Sequence, residues 1–207
     1  MRSEVGVPLA PLTTLGVGGP AERLITATTA DEVIKAVRAA DADARSLLIL
    51  GGGSNVVIPD AGFAGDVVRI ATSGVEVTDR SDCAGVTLRV QAGHSWDDLV
   101  QQAVSNQWVG VESLSGIPGT TGATPIQNVG AYGVEIKDFF HELHALEIDG
   151  LKEKIFSHQD CHFQYRDSIF KNDYRDKYVI LSVTFRLNKV AQLNLSDKNL
   201  CKELSHL

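Results

Sequence analysis

Apolar positions along this chain follow two rhythms. Thr29-Ala-Asp-Glu32 reads as a capping box, with Thr29 as N-cap and Glu32 three residues on. Val33, Ile34, Val37 and Ala40 then share one face and predict a helix near 30–41. Ser95-Trp-Asp-Asp98 is a second N-cap region, with Asp98 where Glu is usual, and Trp96, Leu99, Val100, Ala103 and Val104 predict a helix near 96–106. Short β-rich runs predict strands at 46–50, 66–70, 74–78 and 86–91, and another over 143–148. Asp149-Gly150 is a hairpin-type turn signal. The clearest strand is 178–187, where Val179, Leu181, Val183, Phe185 and Leu187 alternate with other residues. Residues 1–12, with Pro8 and Pro11, read as irregular. From Val190 the chain is polar, with Leu193, Leu195, Leu200 and Leu204 scattered through it, and only Leu200 and Leu204 suit one helical turn.

Three segments break both rhythms. The longest, residues 116–133, holds five glycines and two prolines and almost no charge. Glycine costs about 1 kcal/mol and proline about 3 in a helix interior, so this is not a helix. Ile117, Ile126, Val129 and Tyr132 give it apolar anchors, so it reads as a long ordered loop whose backbone passes close to something. It is either a multi-turn crossover or an anion cradle, because successive glycine turns present backbone N–H groups to phosphates. Leu50 leads straight into Gly51-Gly-Gly53-Ser54-Asn55, a strand followed by a Gly-rich turn. With no Lys-Ser/Thr pair after the glycines it is not a Walker loop. It is a phosphate cradle or a tight turn with Asn55 left-handed. Gly16-x-Gly18-x-x-Ala21 matches the dinucleotide fingerprint in letters, but a proline-containing leader precedes it and the strand-like Arg23-Leu-Ile-Thr-Ala follows, which excludes a Rossmann unit.

Composition narrows the classes. The 207 residues are 43% apolar and 22% charged, and the net charge of −7 comes without a basic stripe, which argues against nucleic acid as a partner. No apolar run approaches the roughly 20 residues that span a bilayer. Met1 to Ala10 lack the apolar core of a signal peptide, so the cytoplasm is the expected compartment. Cys83, Cys161 and Cys201 are far apart and form neither a disulfide framework nor a zinc spacing. His94 stands alone and reads as a turn residue rather than a metal ligand or a flavin attachment site.

Four separated pieces carry a resemblance. Thr14-Leu-Gly-Val-Gly-Gly-Pro-Ala, Leu50-Gly-Gly-Gly-Ser-Asn-Val-Val, Ile117-Pro-Gly through Gly133, and Tyr165-Arg-Asp-Ser-Ile-Phe-Lys171 resemble, in order, the UDP-N-acetylenolpyruvoylglucosamine reductase family, in its longer type I form. The resemblance spans about residues 12–189. It implies an α+β, two-lobed FAD-binding domain of the vanillyl-alcohol-oxidase type, with lobes at 1–72 and 73–189 and an irregular tail at 190–207. It further implies noncovalent FAD, NADPH as hydride donor, and a UDP-sugar enolpyruvyl ether as substrate, in peptidoglycan synthesis. By matching position, Gly51, Gly52, Gly53, Ser54 and Asn55 hold the pyrophosphate. Gly119, Thr120, Thr121, Gly122, Ala123, Thr124, Pro125 and Ile126 line the flavin and phosphates.

The same resemblance makes Arg166 the catalytic arginine, its planar fork suited to a carboxylate, with Tyr132 and Tyr165 on the substrate side. From the residues alone, Arg166 reads first as an ion-pair partner of Asp167, and both tyrosines are core-packing candidates. In the family a third domain supplies a serine, in an Asn-Ala-Gly-Ser-Phe-Phe-like motif, and a late glutamate. Neither motif occurs here, and Ser182, Ser196 and Ser205 do not replace the serine. The expectation is therefore a chain without that domain. It is either the flavin part of such a reductase or a flavin-binding module that does not reduce the enolpyruvyl group.

Overall fold

Two sheets of different character build the chain; the computed structural model describes residues 1–81 and 85–190. In the first, β1 (Arg2–Pro8), β2 (Pro20–Ala27), β3 (Leu47–Leu50) and β4 (Phe63–Ile70) lie in the order β1-β2-β4-β3. β1 and β2 are antiparallel, while β2 and β3 both run parallel to β4. The crossover from β2 runs through α1 (Ala30–Ala42), which buries Val33, Ala36, Val37 and Ala40. On the other side of this sheet Leu9, Ala21, Leu24, Leu50, Ile58 and Val67 form a small second core.

The second sheet is wholly antiparallel. It comprises β5 (Val75–Ser81), β6 (Gly85–Gln91), β9 (Phe140–Glu147), β10 (Glu153–Ser157) and β11 (Tyr178–Leu187), in the order β10-β9-β11-β6-β5. Between β6 and β9 come α2 (Trp96–Ser105) and a two-stranded hairpin, β7 (Gly130–Ala131) with β8 (Val134–Glu135). The main core runs without a break from Ile25, Val33 and Val68 to Leu88, Leu99, Leu143 and Val183. Trp96, fully buried, fixes α2 on the second sheet. Its ring lies edge-on to Phe185 at 6.0 Å, and its indole N–H donates to Leu114 O at 3.0 Å.

Helix starts follow their capping chemistry. The Thr29 hydroxyl accepts from Glu32 N at 3.2 Å and the Ser95 hydroxyl from Asp98 N at 3.3 Å. The expected box at Thr29 is only half made, because the Glu32 carboxylate turns to the N–H and hydroxyl of Thr28 instead. Other expectations need correcting. Residues 2–8 are a strand, not irregular chain: β1 is an edge strand with mostly exposed side chains, so no apolar alternation marks it. β10 carries no apolar alternation for the same reason, Phe156 being its single buried side chain. The Asp149-Gly150 signal does lie in a hairpin connection, but the connection is longer than two residues and Leu151 carries the left-handed backbone, at φ 52°. The fingerprint-like stretch at Gly16 is followed by β2 and not by a helix, as the sequence reading held. Cys161 is buried, and burial pushes its thiol up to about 12, which keeps it unreactive. Cys83, Cys201 and the scattered leucines from Leu193 onward lie outside the described residues.

Candidate functional site

The end of β3 and the long loop after α2 meet. Leu50 is buried, and the chain then turns through residues 51–55. Gly53, not Asn55, takes the left-handed conformation, at φ 67°. A side chain at Gly53 would run into the Leu12 carbonyl, and Gly53 O accepts from Thr14 N at 3.0 Å, so this glycine serves the packing of the leader. Gly51 and Gly52 face the other loop. A Cβ on Gly51 would lie 2.7 Å from Thr120 Oγ1, and one on Gly52 would lie 2.9 Å from Gly119 Cα. The Ser54 hydroxyl donates to Pro118 O at 3.2 Å, and the Asn55 amide to Gln127 Oε1 at 3.3 Å.

The second loop is tied down along its length. Asp97, in the first turn of α2, accepts from Gly116 N at 2.7 Å and from the Ser115 hydroxyl at 3.0 Å. Those bonds, the one from Gly116 first, hold the Asp97 carboxyl below its usual range. Trp96 N donates to Gly119 O, Thr121 N to His94 O and Gly122 N to Ala92 O, at 2.8–3.1 Å. Thr121, Gly122, Thr124 and Pro125 are consequently buried against the second sheet, whereas Ala123 and Ile126 are exposed and Gly119 and Thr120 half-buried. Of the eight sequence-derived lining positions, the buried four shape the loop from beneath.

Among the described residues, the backbone N–H groups of Gly51, Gly52, Gly53, Ser54, Asn55, Gly119 and Thr120 have no acceptor. Main-chain donors left open where two glycine loops touch can receive an anion. Glycine at 51, 52 and 119 leaves the backbone bare for close approach.

A third segment adjoins the far end of the long loop. Gln164 and Asp167 exchange backbone hydrogen bonds at 3.0 and 3.2 Å, closing a turn with Tyr165 and Arg166 at its tip. Arg166 is exposed and has φ 54°, a conformation usually taken by Gly or Asn at the second central position of a turn. The Asp167 carboxylate accepts from the Asn172 amide at 2.9 and 3.0 Å, and no ion pair joins it to Arg166 among the described residues. The simple ion-pair reading of Arg166 therefore does not hold. Its guanidinium carbon lies 5.9 Å from the ring centre of Tyr165, which is 80% exposed and not a core residue. Tyr132, 57% exposed, sits with Gly133 in the β7–β8 turn, both with positive φ, as a type I′ hairpin requires.

Two bonds join this turn to the loop: the Ser168 hydroxyl donates to Ile126 O at 2.6 Å, and the Asn128 amide to Gln164 O at 2.9 Å. Neither Asn128 nor Ser168 stood out in the sequence as a site residue, since each joins the turn to the loop through a backbone carbonyl. His94 does lie in a turn, but it is not idle. Its Nδ1 is 3.1 Å from the Ser73 hydroxyl, and its Nε2 is buried without a partner among the described residues. Burial holds its pKa below the usual value against the opposing pull of Asp98. A groove of about 290 Å³ lies elsewhere, over the polar face of the second sheet around Arg89, Glu142 and Thr184.

Residues 21–153 match the profile of the FAD binding domain family. The UDP-N-acetylenolpyruvoylglucosamine reductase of Cutibacterium acnes is 50% identical over 182 residues, which are 88% of this chain and 48% of that protein. The enzyme of the same name from Thermobifida fusca is 46% identical over 183 residues, 88% of this chain and 51% of that one. The chain spans about half the length of the curated relatives it matches. Among solved structures, the UDP-N-acetylenolpyruvylglucosamine reductase of Thermus caldophilus superposes with a TM-score of 0.75 at 26% identity, covering 100% of this chain and 68% of that one. The 6-hydroxy-D-nicotine oxidase of Arthrobacter nicotinovorans shares the fold, with a TM-score of 0.60 at 20% identity over 81% of this chain and 36% of the other.

Proposed function

The chain belongs to the FAD binding domain family, and from that premise we propose that it is the flavin-holding part of a cytoplasmic UDP-N-acetylenolpyruvoylglucosamine reductase of peptidoglycan synthesis. In this reading residues 1–72 and 73–189 are the two lobes. The observation that carries it is the contact of the two glycine loops with their unpaired N–H groups. Gly51, Gly52, Ser54 and Asn55 hold the FAD diphosphate from one side and Gly119 and Thr120 from the other, noncovalently. FAD, when bound, supplies hydride transfer from NADPH to C3 of the enolpyruvyl ether. Ala123 and Ile126 are the exposed members of the second loop and offer it an apolar surface.

Arg166 has the catalytic role. Negative charge builds on C2 and the adjoining carboxylate as hydride arrives at C3, and a proton from solvent follows at C2. A guanidinium on that carboxylate stabilises the transition state more than the ground state. The exposed turn presents the fork outward, and the left-handed backbone at Arg166 is the kind of strain that functional positions retain. Tyr165 and Tyr132, both exposed, serve as substrate-side aromatics.

Both half-reactions test the reading. The purified chain is expected to bind FAD in equal stoichiometry and to be bleached by NADPH without oxygen. Arg166→Ala should leave bleaching intact and slow reoxidation by the enolpyruvyl substrate about 10²-fold or more, the usual cost of losing one charge-stabilising donor. Failure to bind FAD overturns the reading. Bleaching without any reoxidation by substrate favours a flavin-binding module that does not reduce the enolpyruvyl group.

A further inference from the structure

Asn128 is fully buried, and its side chain ties three segments together. Its amide N–H groups donate to Gln164 O at 2.9 Å and to Glu135 Oε2 at 3.1 Å, and its oxygen accepts from Lys137 N at 3.0 Å. An amide offers two N–H donors and a carbonyl acceptor, and all three are used here. Its backbone is left-handed, at φ 44°, a region where Asn is favoured over most residues. The Gln164 carbonyl it grips also accepts the N–H of Asp167, the bond that closes the turn carrying Arg166. Ser168, just past that turn, is tied to Ile126 of the same loop, so both ends of the turn are fastened to the segment that follows the second glycine cluster. Glu135, the amide's other acceptor, is paired with Lys137 and lies in β8, beside the Tyr132 turn.

We propose that Asn128 is a positioning residue for Arg166. It fixes the 164–167 turn against the glycine loop and so sets where the guanidinium meets the substrate carboxylate. This rests on the role given to Arg166 above. The side chain of Asn128 is enclosed and spends its hydrogen bonds on Gln164, Glu135 and Lys137, so it acts through the turn.

Asn128→Gly keeps the left-handed backbone accessible and deletes all three bonds. The first readout is tryptic cleavage of the native chain after Arg166, which needs no flavin. The variant should be cut about tenfold faster, the scale expected from losing the one deleted bond that grips the turn, to Gln164 O. The second readout is the affinity of the FAD-loaded chain for UDP-N-acetylenolpyruvoylglucosamine, followed by the flavin spectrum in a double-mutant cycle. Asn128→Gly should weaken binding about tenfold in the presence of Arg166 and add nothing in an Arg166→Ala background. Should Asn128→Gly fail to fold, Asn128→Asp keeps the shape, turns a donor into an acceptor against the Gln164 carbonyl, and is read the same way. Unchanged cleavage, or losses that simply add, overturn the proposal. If Arg166→Ala itself leaves affinity intact, the role of Arg166 falls, and the cleavage rate alone then decides whether Asn128 holds the turn.

Discussion

Gly52 and Gly119, from loops far apart in sequence, lie so close that a Cβ on Gly52 would stand 2.9 Å from Gly119 Cα and 3.2 Å from its carbonyl carbon. Real Cβ atoms do not approach backbone that closely, so one added methyl forces the loops apart. The two loops can touch here only because Gly52 has no side chain.

Gly52→Ala is therefore expected to weaken FAD binding by about one to two orders of magnitude, the scale of a 1–3 kcal/mol overpacking strain. Unfolding should stay cooperative. Gly53→Ala behaves differently: it combines a left-handed backbone with a collision at Leu12 and should lower the melting temperature as well. Flavin titration beside thermal unfolding separates the two. Unaltered affinity in Gly52→Ala would place the cofactor away from this contact.

Asp66 is the charged centre of the first sheet. It is fully buried on β4 and takes hydrogen bonds from Arg23 and from Arg45, the latter at 2.8 Å. Burial alone would push its carboxyl up, but the two arginines outweigh burial and hold it below its usual value. Asp66→Asn leaves two guanidinium groups facing a neutral amide and is expected to cost about 3 kcal/mol, the lower end for a broken buried pair, because both arginines keep some contact with water. Thermal unfolding measures it; an unchanged midpoint would mean that Arg23 and Arg45 find other acidic partners.

His94 gives stability a pH step. Its folded pKa is lowered by burial, so the unfolded chain takes up the proton first as pH falls. The contribution of neutral His94 is complete above the ordinary histidine value, near 6.5, and declines as pH drops from there through the lowered folded pKa. His94→Asn should flatten that part of the profile. Melting curves between about pH 5 and 8 decide it, since histidine titration falls in this range; an identical slope in the variant would assign the step to another group.

Elements that bring apolar residues to the core were legible in the sequence. Both helices, β3, β4, β6 and β11 were marked by apolar spacing that the core then used. β1 and β10 were not, because an exposed edge strand is held by main-chain bonds that any sequence can make. The glycine loops stood out by composition. Which glycines meet was hidden, since Ser54 and Pro118 are 64 positions apart and only the packing of both sheets on one core brings them together. Asn128 and Ser168 were hidden for another reason: each grips the turn through a backbone carbonyl, which carries no residue signature.

The middle place of β11 matters before the protein is finished. The β5–β6 and β9–β10 hairpins are local and can close as soon as each has been synthesised. Both inner edges then wait for one strand, because β11 pairs with β6 on one side and β9 on the other. Until translation reaches Leu187, a nascent chain carries two open rows of N–H and C=O groups, and such rows invite pairing with neighbouring chains. Completing β11 closes both rows at once.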